Sequence, residues 1–213
     1  MKKYKCVIYD IDGTLLNTLN MNMYPLIKII KEEKNEDWTF EQVLKFVSYP
    51  GIKTLEELGI EDVEKTYARW VKYVNEYEEG ATLYEGFEEV FEKLKENGVV
   101  QAIVSSKTKE QYKIDFVDKG LDKYIETAIL ADDTEKHKPD PEPLFKCLDR
   151  LNLNCEDVIY IGDTLSDCKA ARNANIDFGY AKWGSVFDCD TSNFDFVFEK
   201  PKDLLKLIDI KKG

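Results

Sequence analysis

The chain has 213 residues, 43% hydrophobic and 34% charged, which suits one buried core plus a modest insertion and is too apolar for a disordered chain. Its 30 basic and 42 acidic residues leave a formal charge of −12, which argues against a general nucleic-acid or anionic-membrane binder, since either needs a basic face. The single histidine, His137, excludes zinc sites built on several histidines and is the only residue of its kind for a Ser-His-Asp triad.

Residues 4–10 (YKCVIYD) are rich in β-branched and aromatic residues and end at a turn signal, Asp-Ile-Asp-Gly, so they predict a buried strand. Residues 16–81 then carry no convincing strand. Segments 23–33, 39–47, 54–58 and 61–79 predict helices, the last with Val63, Tyr67, Trp70, Val71 and Val74 near i, i+3/4 spacing. From there, strands alternate with helices. The predicted strands are 99–105, 125–131, 158–161 and 195–198, with a weaker one at 176–181. The predicted helices are 87–97, 143–151 and 165–175. That alternation predicts an α/β fold, a parallel sheet with helices on both faces. The helical block after the first strand predicts an inserted cap over 16–81, with residues 1–15 and 82–213 forming the core and hinges near 16–18 and 80–85.

Cys6, Cys147, Cys155, Cys168 and Cys189 are odd in number and lack C-x-x-C spacing, which favours buried reduced thiols over a disulfide or zinc framework. The N-terminal apolar run is too short for a signal peptide, and no stretch approaches the ~18 apolar residues of a membrane span. The expected location is the cytoplasm, with neither membrane nor nucleic acid as partner. Oligomeric state is not readable.

Four motifs carry chemistry. Asp10-Ile11-Asp12-Gly13-Thr14 ends the first strand, and in open α/β sheets the ligand crevice lies at the carboxyl ends of the strands. Two carboxylates two residues apart suit an aspartate nucleophile with an acid/base partner. An acidic turn is the plain alternative, but D-x-D-G-T arises by chance only about once per thousand chains of this length. Gly162-Asp163-Thr164-Leu165-Ser166-Asp167 follows the strand VIYI. Alone, its two aspartates suit helix capping as well as function; beside the first motif they complete an oxygen cluster for a hard cation such as Mg²⁺. Ser105-Ser106 ends the strand VVQAIVS, where a hydroxyl and an N–H before a helix suit phosphate oxygens, or simply a helix cap. Lys138, before Pro139, is placed at a strand exit, where its charge would neutralise a crowded anionic site. His137 reads as a structural or rim residue.

D-x-D-G-T, a strand-ending Ser, Lys-Pro and G-D-x-x-x-D, in this order, resemble the haloacid dehalogenase-like hydrolase superfamily with a Rossmann-like core. The inserted helices are similar to its C1-type caps. The phrases KPDPEPLFKCL, IYIGDTLSDCKAARNANI and YAKWG resemble its phosphoglycolate phosphatase and pyrophosphatase-like branch. That branch usually carries a further Asp where this chain has Asn17.

The resemblance implies a Mg²⁺-dependent phosphatase. In it Asp10 forms an aspartyl-phosphate and Asp12 protonates the leaving oxygen, then activates water. The Asp10 carboxylate, the Asp12 backbone carbonyl and Asp163 would bind the metal, Asp167 would hold the metal's waters, and Ser105, the Ser106 N–H and Lys138 would grip the phosphate. The expected substrate is a small phosphorylated metabolite, phosphoglycolate-like or a sugar phosphate. A phosphomutase of the β-phosphoglucomutase kind shares this core, and a non-enzymatic phosphometabolite-binding protein is the rival of a different class. A metal-free dehalogenase needs no acid at position 12, so Asp12 speaks against it. Substrate choice is expected in the loop 48–53, where Tyr49 would pack on the leaving group or simply on the core, and Lys53 would meet a second anionic group or stand as a solvated surface lysine.

Overall fold

The computed structural model describes residues 4–47, 49–186, 190–192 and 194–208. Among these residues eight strands run in chain order: β1 (Cys6–Tyr9), β2 (Leu16–Asn17), β3 (Thr82–Leu83), β4 (Val100–Val104), β5 (Thr127–Ile129), β6 (Val158–Gly162), β7 (Asp177–Ala181) and β8 (Phe196–Phe198). Six of them form one parallel sheet in the order β5-β4-β1-β6-β7-β8. The apolar runs of β1, β4 and β6 are buried on both faces, as parallel strands covered by helices require. Tyr9 is aligned with Ile103 on one side and Ile161 on the other, so the chain leaves β1, β4 and β6 at one edge of the sheet.

The α-helices among the described residues are α1 (Leu19–Lys34), α2 (Phe40–Val43), α3 (Gly51–Glu57), α4 (Val63–Asn75), α5 (Phe87–Glu96), α6 (Lys109–Tyr112), α7 (Glu142–Leu151) and α8 (Leu165–Asn173). One face of the sheet, with Cys6, Ile8, Ala102, Val104, Val158 and Tyr160, packs on Leu144 and Cys147 of α7 and Ala170 and Ala171 of α8. Small alanines let α8 approach the strands closely. On the other face Tyr9 stands edge-on to Phe87 and Phe91 of α5. Its buried hydroxyl donates to Gln101, whose amide donates to the Phe91 carbonyl, so this polar path inside the core is satisfied.

The chain divides into two units, residues 1–16 with 83–213, and residues 17–82. The second unit has its own core, in which Leu26, Ile29 and Ile30 of α1 pack with Phe46, Leu55, Leu58 and Trp70. Trp70 donates its indole N–H to the Asn22 carbonyl, and Thr39 and Gln42 form a reciprocal cap at the start of α2. Helix α1 begins four residues before the expected 23 and runs through Pro25, its fit secured by burial of Met21, Met23 and Leu26. The helix expected over 39–47 is divided into α2 and a 3₁₀ turn at Leu44–Phe46.

Other departures from sequence expectation have local causes. β2 and β3 pair where no strand was expected between residues 16 and 84, because two residues are too few to show an alternating pattern. A 3₁₀ helix, Pro201–Leu207, follows β8 and was not foreseen. Cys6 and Cys147 are buried free thiols, Cys155 and Cys168 are half-buried free thiols, and Cys189 lies outside the described residues. Among the described residues, no helix is long and apolar enough to cross a membrane.

Candidate active site

Asp10, Asp163 and Asp167 stand at the carboxyl ends of β1 and β6, and their carboxylate oxygens lie within 4.8 Å of one another. All three are buried. The glycines make this approach possible. Gly13 turns the chain after β1 with φ of +76°, and a Cβ there would lie 2.2 Å from Asp163 Oδ2. A Cβ on Gly162 would lie 2.5 Å from the Cβ of Asp167.

Lys138 is the cation of the cluster. Its Nζ lies 3.0 Å from Asp10 Oδ1 and 2.6 Å from Asp167 Oδ1, with only 7% of the side chain exposed. It also donates to the hydroxyl of Tyr160, 3.1 Å away, which lies 3.0 Å from both Asp167 Oδ1 and the Val104 carbonyl. The other oxygen of Asp167 accepts from the Thr164 N–H and hydroxyl. Asp167 is therefore held on both oxygens, whereas Asp163 accepts from the Thr14 hydroxyl on Oδ1.

Burial pushes the Asp10 carboxyl up to about 7; Lys138 pulls against that, and Asp167 and Asp12 add to it. Asp163 is raised well above the carboxylate range, first by burial and then by Asp167 and Asp10, with Thr14 and Lys138 opposing. Burial disfavours the charge of Lys138, yet Asp10 and Asp167 hold its pKa above that of an ordinary lysine. The cluster is thus short of positive charge. Three buried carboxylates within ligating reach of one another, all oxygen donors, fit a hard divalent cation. Asp10 and Asp163 suit direct contact. The oxygens of Asp167, already taken by Lys138, Tyr160 and Thr164, suit orientation of the surroundings.

Ser105 is buried at the end of β4, next to β1, with its N–H on the Ile129 carbonyl and its hydroxyl accepting from the Lys107 N–H. Ser106 is exposed. The side chain of Asp12 is not part of the cluster of Asp10, Asp163 and Asp167 and faces Lys107 at 3.1 Å. Lys138 does not sit at a strand exit. β5 ends at Ile129, and a 3₁₀ turn and a loop intervene before Lys138, because Asp133 and Glu142 tie that loop through backbone N–H groups. His137 is exposed, as a rim residue is.

Tyr49 and Lys53 belong to residues 17–82. Tyr49 is 41% exposed and stands edge-on to Phe46, and Lys53 Nζ lies 4.9 Å over the Tyr49 ring. Ser48, the first residue of that loop, lies outside the described residues.

Two contacts escaped the sequence analysis. Lys107 is buried against Asp12 and Asp115, and nothing in a lysine-rich sequence sets it apart. Trp183 donates its indole N–H to the Thr14 carbonyl at 2.9 Å, and its ring meets Phe87. Trp183 lies in the phrase YAKWG, but its contact with the first motif depends on the fold.

The model of the haloacid dehalogenase-like hydrolase family matches residues 7–181, which include Asp10, Asp12, Ser105, Lys138, Asp163 and Asp167. This chain belongs to the haloacid dehalogenase-like hydrolase family. It is 30% identical over 210 residues to a protein of Caldanaerobacter subterraneus subsp. tengcongensis provisionally named pyrophosphatase PpaX, covering 97% of this chain and 95% of that one. It is 26% identical over 213 residues to the pyrophosphatase PpaX of Bacillus velezensis, covering 99% of each. The crystal structure of a Lactobacillus plantarum protein provisionally named phosphoglycolate phosphatase superposes with a TM-score of 0.88 at 29% identity, covering 97% of this chain and all of the other. These relatives place the family member in the phosphoglycolate phosphatase and pyrophosphatase-like branch.

Proposed function

We propose that this haloacid dehalogenase-like hydrolase is a Mg²⁺-dependent phosphatase that hydrolyses a small phosphorylated metabolite through an aspartyl-phosphate on Asp10. The observation that carries the proposal is the buried contact of Asp10 with Lys138, inside a cluster that also holds Asp163 and Asp167. The names of the relatives, pyrophosphatase and phosphoglycolate phosphatase, agree in chemical class and direct the choice of substrates to small phosphate esters and anhydrides.

Charge explains the composition of the site. A phosphate dianion approaching Asp10, Asp163 and Asp167 brings the pocket to about −5, and Mg²⁺ with Lys138 returns about +3. Asp10, Asp163 and the Asp12 carbonyl would hold the metal, which supplies Lewis-acid neutralisation of the phosphoryl oxygens. Asp10 attacks phosphorus; the bond to the leaving oxygen breaks as the aspartyl bond forms. Asp12 gives that oxygen its proton, then takes a proton from the water that hydrolyses the acyl phosphate. Lys138, Ser105 and the Ser106 N–H bind the transferred phosphoryl group. Asp167, through Lys138, keeps the ammonium beside Asp10. Residues 16–81 act as a cap that selects the leaving group, with Tyr49 and Lys53 as its candidate determinants.

The test is turnover of p-nitrophenyl phosphate with and without Mg²⁺, together with mass spectrometry of trapped enzyme for phosphate on Asp10. Turnover is expected to require the metal and to vanish in Asp10→Asn with the fold retained. Full activity in chelator, or near wild-type activity in freshly purified Asp10→Asn with deamidation excluded, would sink the assignment.

A further inference from the structure

Lys107 lies two residues beyond Ser105, buried, and the phosphatase proposal gives it no task. Its backbone is pinned on both sides: the N–H donates to the Ser105 hydroxyl and the carbonyl accepts from the Ala131 N–H. Its Nζ lies 2.6 Å from Asp115 Oδ2 and 3.1 Å from Asp12 Oδ1. Lys107 and Asp115 are 7% and 8% exposed, so the pair is nearly dry.

Asp115 occupies a π-helical turn, Lys113–Val117, that continues α6. Such turns are uncommon and recur at functional positions. Here the turn buries a carboxylate while the adjacent Ile114 is 37% exposed, the reverse of what burial of apolar surface favours. Placing an acid rather than an isoleucine inside makes sense as a counter-charge that fixes Lys107.

A lysine that grips phosphate needs its charge available, and Asp115 at 2.6 Å largely cancels that of Lys107. What remains is direction. The Asp12 side chain is 37% exposed, yet its Oδ1 is buried and meets Lys107 through charge alone, as an ion pair at 3.1 Å without a hydrogen bond. With Oδ1 shut inside the fold beside an ammonium, the exposed part of the carboxylate is Oδ2, the oxygen a leaving group can reach.

We propose that Lys107, fixed by Asp115, is a positioning residue that pins Oδ1 of Asp12 and reserves Oδ2 for proton transfer to the leaving group. The inference rests on the phosphatase proposal. As the phosphorus–oxygen bond of the ester breaks and the bond to Asp10 forms, the proton on Oδ2 passes to the departing oxygen, and a neutral alcohol leaves.

The experiment compares kcat/KM for p-nitrophenyl phosphate, whose leaving group departs without protonation, with that for simple alkyl phosphates, which need the proton. The variants are the double substitution Lys107→Met with Asp115→Leu, which removes the buried Lys107–Asp115 pair together and frees Asp12, and Lys107→Arg. Asp115→Asn, which keeps Lys107 but loosens it, serves as a second route should the double variant fold poorly. The aryl-to-alkyl ratio of kcat/KM is expected to rise roughly 10- to 100-fold in the double variant, less in Asp115→Asn, and to return toward wild type in Lys107→Arg. Inhibition by inorganic phosphate is expected to stay as in wild type. An equal loss on all esters with weakened phosphate inhibition would make Lys107 a phosphate ligand and overturn the inference. An unchanged ratio in a folded variant would overturn it too. Absence of wild-type turnover on every ester sinks the phosphatase proposal itself, whereas a flat ratio with active wild type sinks only this one.

Discussion

Gly184 lies so close to Gly13 that a Cβ built on it would stand 1.5 Å from the Gly13 carbonyl oxygen. The neighbouring Trp183 bonds the Thr14 carbonyl. The segment after β7 therefore packs directly on the turn that carries Asp10 and Asp12, and only a residue without a side chain fits there. Gly184→Ala is expected to destabilise the protein by about 1–3 kcal/mol, the usual cost of overpacking, and to lower activity by displacing the Gly13 turn. Thermal unfolding together with phosphatase turnover checks this; wild-type values for both would show that the packing is not as close as described.

Asp163 sits among buried carboxylates with one oxygen on Thr14. If it binds the metal directly, Asp163→Asn should weaken apparent Mg²⁺ affinity at least about tenfold. Titration of activity, or of thermal stabilisation, against Mg²⁺ reads the effect. An unchanged metal dependence would remove Asp163 from the ligand set.

Asp133 holds the turn that leads toward Lys138. Its carboxylate is 9% exposed and accepts from the Leu130 N–H, with Lys109 Nζ at 3.0 Å and Arg150 at 3.5 Å. Burial raises its pKa, but those donors outweigh it, so the folded-state value lies below the ordinary 3.8. A depressed carboxylate stabilises the fold above its unfolded pKa, and that stability is lost as pH falls through the folded value. Asp133→Asn should therefore cost about 1–2 kcal/mol at neutral pH, a few degrees of Tm, with the difference from wild type shrinking as pH drops below 3.8. Unfolding curves of both proteins across that range are the check; a pH-independent difference would assign the effect to lost hydrogen bonds alone.

Lys53 projects over the exposed ring of Tyr49 in the helical unit. If that unit selects the substrate, Lys53→Ala should raise KM for the best metabolite, lowering kcat/KM about 10- to 150-fold, and change p-nitrophenyl phosphate little, because the latter lacks a second anionic group. A screen of phosphorylated metabolites, inorganic pyrophosphate included, identifies the substrate for this comparison. Equal effects on both substrates would make Lys53 an ordinary surface lysine.

Much of the molecule was legible before its structure. The run VIYD closes on Asp10, and VIYIG closes on Asp163, because a buried parallel strand needs an uninterrupted apolar stretch and its carboxyl end is where the chain emerges. Chemistry that lies within a few residues of such an end is written contiguously, so the aspartates could be named from the sequence by resemblance and position. The helical block after β1 was legible for the same reason: amphipathic spacing is a local property.

What required the tertiary structure is the pairing of charges across long separations. The resemblance assigns Asp10, Asp163 and Lys138 to one site, but only the parallel register of β1 and β6 and the tethered loop after β5 bring the ammonium of Lys138 to 3.0 Å from Asp10. Lys107 was indistinguishable from the other lysines because its burial depends on Asp115, which a π-helical turn carries inward. Trp183 and Gly184, the end of the phrase YAKWG, bear no reacting group and acquire their role through contact with Gly13 and Thr14. The sequence by itself determined the alternation of elements and the residues that bear the chemistry, since both follow from local pattern. The tertiary structure alone decided which cation faces which carboxylate, because Coulomb and steric contacts depend on distance in space and leave no trace in the order of residues.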